Sequence, residues 1–498
     1  MRKLNLKKFT LCFSTLCLTG AMTGCQTTEA ETVVSEATQS SVVMPASDQT
    51  NQGGWVLNQD VSDEFEGTKL DEDKWFIEGQ HGDYYIWKGR APSQFVPENV
   101  IVEDGKLKLR TKWEPDYDFI KESYADGGMG SAPYGKLKDG TPMPVTTAGV
   151  LTKKRFLHGY MEVKSKVGNA AITGAFWAIG YEQELDIYEQ MGNPKNKKGN
   201  IREMNSLATA HDWSPPAQRP TNVFQHVEPL PFRTADEFHV YGAEWGVDFL
   251  KLFIDGRLVH HFTQDDVGTD WVLNNPMEIW LDSEIFHWLG YPHKEELPVD
   301  FEIEYLRVWQ KPIDNLLAPA FFGFEGPILF EENPRPLTMV PEDSDNNDYQ
   351  KFWDFDENSA KYLSIIEGDY ATGVNSLELR QIDKNETVEV DKIRAVTPEG
   401  AIKLPAGDYI LSMKVWADKG RVAKNVYINF EGQDIEVTFD EIDKLERRQW
   451  ITLEKKVTFT KDSGAKDKLS IEIHKADLPK KRMGTRLRID DIEMKAVK

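Results

Sequence analysis

Phe176-Trp177-Ala178-Ile179-Gly180, followed closely by Glu184-Leu185-Asp186-Ile187-Tyr188-Glu189, is the stretch that decides the reading of this chain. Its first part is a short apolar run ending in glycine, the pattern of a buried strand. Its second part sets three carboxylates among apolar neighbours, and buried carboxylates are costly unless paired or put to use. Side chains alternate faces along a strand, so Glu184 and Asp186 share a face while Glu189 points the other way. One β-bulge between Asp186 and Glu189 returns Glu189 to the shared face, a device common beside active sites. Three carboxylates then line one cleft. Retaining glycoside hydrolysis needs such a set: a nucleophile and an acid/base roughly 5–5.5 Å apart. In that reading Glu184 is the nucleophile, Glu189 the acid/base, and Asp186 the assisting group between them.

Outward from this stretch, residues 55–310 show short runs rich in Val, Ile, Phe, Tyr and Trp. Gly, Asp, Asn and Pro clusters separate them, and no long helical period appears, which argues an all-β, two-sheet sandwich. The string Glu184 to Glu189 resembles the catalytic signature of glycoside hydrolase family 16, in the bulged spacing of its agarase, porphyranase and carrageenase branch. Further segments resemble that family in the same order. They are Ser62-Asp63-Glu64-Phe65, Glu98-Asn99-Val100 with Asp104-Gly105-Lys106-Leu107, Gly159-Tyr160-Met161-Glu162-Val163, Phe238 to Trp245, Phe253-Ile254-Asp255-Gly256 and Phe301 to Val308. The resemblance implies a concanavalin-A-like jelly-roll β-sandwich with a carbohydrate cleft, and a β-linked red-algal galactan as substrate.

It also implies site residues. The Tyr84 to Arg90 loop looks like one that carries substrate contacts, through Trp87 and Arg90. Trp177 occupies a position bordering the subsite next to the nucleophile. His211 is expected beside the sugar or the acid/base. Glu278, Trp280, Asp282 and Glu284 share one strand face, and Trp280 and Glu284 are expected to touch substrate. Agarose is the first substrate choice. Carrageenan, furcellaran and porphyran follow, and Lys195, Lys197, Lys198 and Arg202 would suit their sulfates. Laminarin or mixed-linkage glucan comes third, weakened because Gly180-Tyr181-Glu182-Gln183 precedes Glu184 where laminarinases carry a different run. A surface glycan-binding lipoprotein whose catalytic domain has lost activity is a further alternative, against which the intact Glu184, Asp186 and Glu189 argue, and transglycosylation would use the same residues.

The net charge of −23 argues against nucleic acid as a partner. Met1 to Lys8 is a basic n-region and an apolar run follows to about Met22, the layout of a signal peptide over 1–24. Met22-Thr23-Gly24-Cys25 resembles a lipobox, so Cys25 is expected to carry lipid, anchoring the chain in the cell envelope, at the outer membrane of a Gram-negative cell. Cys12, Cys17 and Cys25 are the only cysteines, so the expected mature domains hold no disulfide. Residues 25–53 read as a flexible tether and 54–312 as the catalytic domain. A Pro-rich, acidic linker is expected over 313–348. Residues 349–498 read as a second, smaller β-sandwich resembling carbohydrate-binding modules, with Trp353 and Trp416 as candidate sugar platforms. No cofactor is needed for the reaction. The family resemblance allows a structural calcium whose ligands the sequence does not assign, and the chain is expected to be a monomer.

Overall fold

The computed structural model describes residues 43–312 and 353–497, apart from 86–87, 122, 127–129, 181–182, 197–201, 214–220, 384 and 480–485, together with Leu317 and Phe324. The expected signal peptide, Cys25, Trp87, Lys197, Lys198 and most of the 313–348 linker lie outside the described residues.

The described chain is built almost wholly of strands. In the first sandwich the front sheet runs, edge to edge, through Thr221–Pro229, Asn205–Asp212, Gln183–Met191, Thr173–Gly180, Met277–Ser283 and Val145–Thr152. The back sheet runs through Lys106–Trp113, Val299–Gln310, Gly159–Lys166, His239–Trp245, Phe249–Ile254 and Arg257–Thr263. A short pairing of Lys112 with Thr146 and Trp113 with Val145 joins the two, so the strand order is continuous from front to back. Period-2 alternation places Leu107, Leu109, Met161, Val163, Phe176, Ala178, Leu185, Phe301 and Ile303 in one core between the sheets.

A second set of strands forms two five-stranded sheets around a separate core that includes Leu411, Met413, Val415, Ile428, Phe430, Ile471 and Ile489. The two sandwiches meet where the Gln264 Nε2 amide donates to Tyr370 Oη at 3.0 Å and to the Gly373 carbonyl at 2.7 Å. Val374, buried, packs into the core of the first sandwich.

Residues 211–233 hold several prolines, the mark of a long rigid loop, yet they carry the edge strand Thr221–Pro229. The prolines bracket this strand: Pro215 and Pro216 precede it, Pro229 ends it and Pro231 follows. Proline is tolerated at such ends because no ladder donor is needed there.

Gly192 closes the strand that carries the acidic stretch. A Cβ placed on it would lie 1.8 Å from the Gly168 carbonyl oxygen, backbone against backbone. Gly192→Ala is therefore expected to cost roughly 3 kcal/mol, about 6–12 °C of Tm for a domain of this size. Thermal unfolding checks this, and an unchanged Tm would show that the 168–172 turn yields freely.

Candidate active site

The acidic stretch forms the strand Gln183–Met191, third in the front sheet. Its start is pinned by Gln183, whose Oε1 accepts from the Asn274 and Asn275 amides and whose Nε2 donates to the Asn275 carbonyl. The expected bulge is present, with the register against both neighbouring strands shifting between Asp186 and Glu189. Its physical cause is in the core: Leu185, Ile187 and Tyr188 all pack inside the sandwich, two of them consecutive. Tyr188 Oη is held there by Ser165 Oγ at 2.7 Å. The extra inward residue returns Glu189 to the face of Glu184 and Asp186.

Residues directly opposite each other across neighbouring strands share a face. His211, Glu184, Ile179 and Glu278 form one row, Thr209, Asp186, Trp177 and Trp280 the next, and Leu207, Glu189, Ala175, Asp282 and Gly149 a third. In the third row the small Ala175 stands between the carboxyl groups of Glu189 and Asp282. Within these rows Leu151, Ala175, Trp177, Ile179 and Trp280 make an apolar floor separate from the main core.

The three carboxylates differ in their surroundings. Trp213 Nε1 donates to Glu184 Oε2 at 2.9 Å. His211 Nε2 lies 3.1 Å from Asp186 Oδ2 and 3.6 Å from Glu184 Oε1. Burial, and then the charge of Asp186, push both Glu184 and Glu189 above the ordinary carboxylate range. His211 and Trp213 oppose the shift at Glu184, while at Glu189 Arg90 and His211 oppose it. At His211 burial acts downward, but the Asp186 hydrogen bond and the three carboxylate charges outweigh it and lift the imidazole to about 9. An ionised Glu184 is thus supported by a direct donor, and a protonated Glu189 by its apolar surroundings.

Arg90 reaches this cluster from the 79–90 loop. Its amide donates to Glu284 Oε1 at 2.7 Å and its Nε to Glu284 Oε2 at 3.3 Å. The guanidinium lies over the rings of Phe286, at 5.0 Å, and Trp288, at 5.5 Å. Two further buried carboxylates hold the same loop. Glu78 accepts the Tyr85 amide, and Glu278 binds Arg155, whose Nη2 donates to Tyr85 Oη at 2.7 Å.

Several sequence expectations change at this point. Glu284 does not present itself to a sugar: it is 3 % exposed and both oxygens serve Arg90, so it anchors the arginine. Trp280 is fully buried and stacked on Trp177 at 4.8 Å, so it belongs to the floor and offers no stacking face. Trp177 is held by its Nε1 donating to Asp282 Oδ2 at 2.6 Å. His211 meets the central carboxylate, Asp186, rather than the acid/base. Lys195 is paired with Glu296. In the second sandwich Trp353 is a core residue packed on Phe324, so it is no platform.

The sequence reading missed Trp213, Glu78, Phe286 and Trp288. Period 2 carried the signal for some of them: Trp213 is two residues beyond His211, and Phe286 and Trp288 continue the step from Glu284. Glu78 carried none, because its role depends on a loop folding back. Among the described residues Glu184, Asp186 and His211 offer ligand atoms within 4.8 Å of one another. They are the set able to hold a cation, although Asp186 Oδ2 and Glu184 Oε2 already accept from His211 and Trp213.

Comparison with known proteins bears on the first sandwich. Residues 55–311 match the family described as "Beta-porphyranase A-D, GH16 domain". The chain is 28 % identical over 267 residues to β-porphyranase B of Phocaeicola plebeius, covering 47 % of this chain and 76 % of that protein. It is 29 % identical over 264 residues to β-porphyranase D of Zobellia galactanivorans, covering 49 % and 57 %. The crystal structure of porphyranase B from Zobellia galactanivorans matches at 24 % identity, covering 51 % of this chain and 92 % of that one, with a TM-score of 0.39.

Proposed function

The chain belongs to glycoside hydrolase family 16, in its β-porphyranase A–D group, and from that premise we propose that it is a retaining endo-hydrolase of a sulfated, porphyran-type red-algal galactan. The observation that carries the reaction is the bulged strand, which sets Glu184, Asp186 and Glu189 on one face with unequal surroundings. Glu184, ionised and oriented by Trp213, attacks the anomeric carbon. Glu189 gives its proton to the departing glycosidic oxygen. A covalent glycosyl ester on Glu184 results, and Glu189, now a carboxylate, takes a proton from the water that hydrolyses it. Asp186, held by His211, stands between the two. Its negative charge keeps a proton on Glu189 until the leaving oxygen needs it.

Two features support the sulfated polymer over agarose, the first choice from sequence. The relatives named above are β-porphyranases, and an arginine, Arg90, always charged and suited to sulfate oxygens, lies close enough for its charge to act on both Glu184 and Glu189. Agarose is the second reading, supported by the apolar floor that includes Trp177. The lipobox-like Met22 to Cys25 would place the reaction at the cell surface.

The test is reducing-end release from porphyran, agarose, furcellaran, κ-carrageenan, laminarin and lichenan by the full chain. Porphyran is expected to give the highest kcat/KM. Release from agarose alone would replace the proposed substrate with the second reading. No release from any of the six would overturn the hydrolase reading.

A further inference from the structure

The second sandwich holds three tryptophans, Trp353, Trp416 and Trp450. Trp353 fills the core. The other two are brought together by strand pairing. Trp416, near the end of Gly407–Ala417, lies directly opposite Trp450, the first residue of the edge strand Trp450–Phe459. Leu411, Met413, Val415 and Ala417 point into the core. Ser412, Lys414 and Trp416 therefore lie on the outer face. Both indoles are half-buried, and neither N–H donates to a described residue.

Trp416 is propped from its other side. Arg488, its partner on Leu487–Ala496, holds its guanidinium 4.2 Å from the indole centroid. That guanidinium is pinned by Glu378 Oε2 at 2.9 Å and Asp369 Oδ2 at 2.8 Å, so the ring stands on a rigid base. Lys414 and Thr452, directly opposite each other, flank the pair with polar groups.

We propose that Trp416 and Trp450 form a carbohydrate-binding platform, on which the pyranose rings of a galactan chain stack. Two tryptophans facing each other across one strand pair, within a polar surround, are too small for a specific protein interface, which buries roughly 1,200–2,000 Å². They suit sugar rings, which present apolar C–H faces to the indoles and hydroxyls to the indole N–H groups and to the Lys414–Asp491 ion pair. The identity of the polymer rests on the reading of the catalytic site above. The benefit of such a platform is a raised local concentration of polymer at the cleft of the same chain.

The experiment is affinity electrophoresis of the full chain through gels containing porphyran or agarose. Wild type is compared with Trp416→Ala, Trp450→Ala and the double variant, and with a Trp416→Gln/Trp450→Gln variant that suits outward positions in case the alanine pair unfolds. Each is also assayed on a soluble hexasaccharide of the polymer that wild type cleaves. The double variant is expected to weaken retardation by about tenfold, with hexasaccharide kcat/KM within about twofold of wild type. Undiminished retardation of either folded double variant overturns the platform. So does a change in oligomeric state without a change in retardation, which would make the pair a contact between copies. Retardation that depends on the two tryptophans, in a protein that hydrolyses none of the polymers, upholds the platform and overturns the catalytic reading instead.

Discussion

Glu184→Gln is expected to abolish turnover on polymer, with kcat falling by about 10⁴-fold or more, while affinity for the polymer stays near that of wild type. A neutral isostere keeps the Trp213 and His211 neighbours in place and removes only the attacking charge. The size follows because the step that forms the glycosyl ester loses its attacking carboxylate, and residues acting as a unit are worth far more than single contacts. Chemical rescue separates this role from that of the acid/base. With Glu184→Ala, added azide is expected to enter the vacated space and give a glycosyl azide of inverted configuration. An azide product of retained configuration, or residual activity near wild type, would reassign the nucleophile. Unchanged activity together with unchanged affinity would mark the chain as a glycan-binding protein.

Glu189 gives the second large effect, and its sign with pH is specific. Its carboxyl is pushed up to about 8, first by burial and then by Asp186. The acid form is the one needed for leaving-group protonation, so kcat/KM is expected to fall as pH rises through that region. The falling acid limb belongs to Glu184, which must be ionised. The two coupled groups titrate as a pair, with both apparent values above the ordinary carboxylate range. Glu189→Gln is expected to lower kcat by about 10²–10⁴-fold on polymer and to remove the alkaline limb. Substrates with an activated leaving group need less acid help, so their first step is spared. Stability carries the same sign. A carboxyl whose folded pKa is raised contributes stability below its unfolded value and loses it as pH rises through the folded one. Wild type should therefore lose more Tm between pH 6 and pH 9 than Glu189→Gln does. An alkaline limb that survives the substitution would assign it to another group, His211 first, since it is lifted to about 9.

Alternation explains how much of this site was legible. Glu184 and Asp186 sit two apart, so their common face follows from strand geometry alone. The bulge could be placed as well, because only an extra residue between Asp186 and Glu189 brings the third carboxylate round. Its cause, Ile187 and Tyr188 both packing inward, is a property of the core. The family resemblance rested on many short segments in one order, and the matched residues 55–311 cover the same region.

The failures share a physical reason. Trp280 and Glu284 lie on the predicted face, yet one is fully buried between Trp177 and Tyr85 and the other is bonded to Arg90. Face is a one-dimensional property of a strand, whereas exposure depends on what folds over it. Trp353 and Trp450 make the same point in the second sandwich. Nothing local distinguishes a core indole from one on an edge strand opposite Trp416.

The sequence by itself determined the all-β class, the family, the three carboxylates and their common face, because these depend on periodicity and on residues close along the chain. Only the tertiary structure decided which neighbours tune them. His211 pairs with Asp186, Trp213 with Glu184, and Arg90 is held by Glu284, which lies far along the chain. Such pairings arise from loop closure and sheet order, and the resulting burial sets the protonation states on which the chemistry depends.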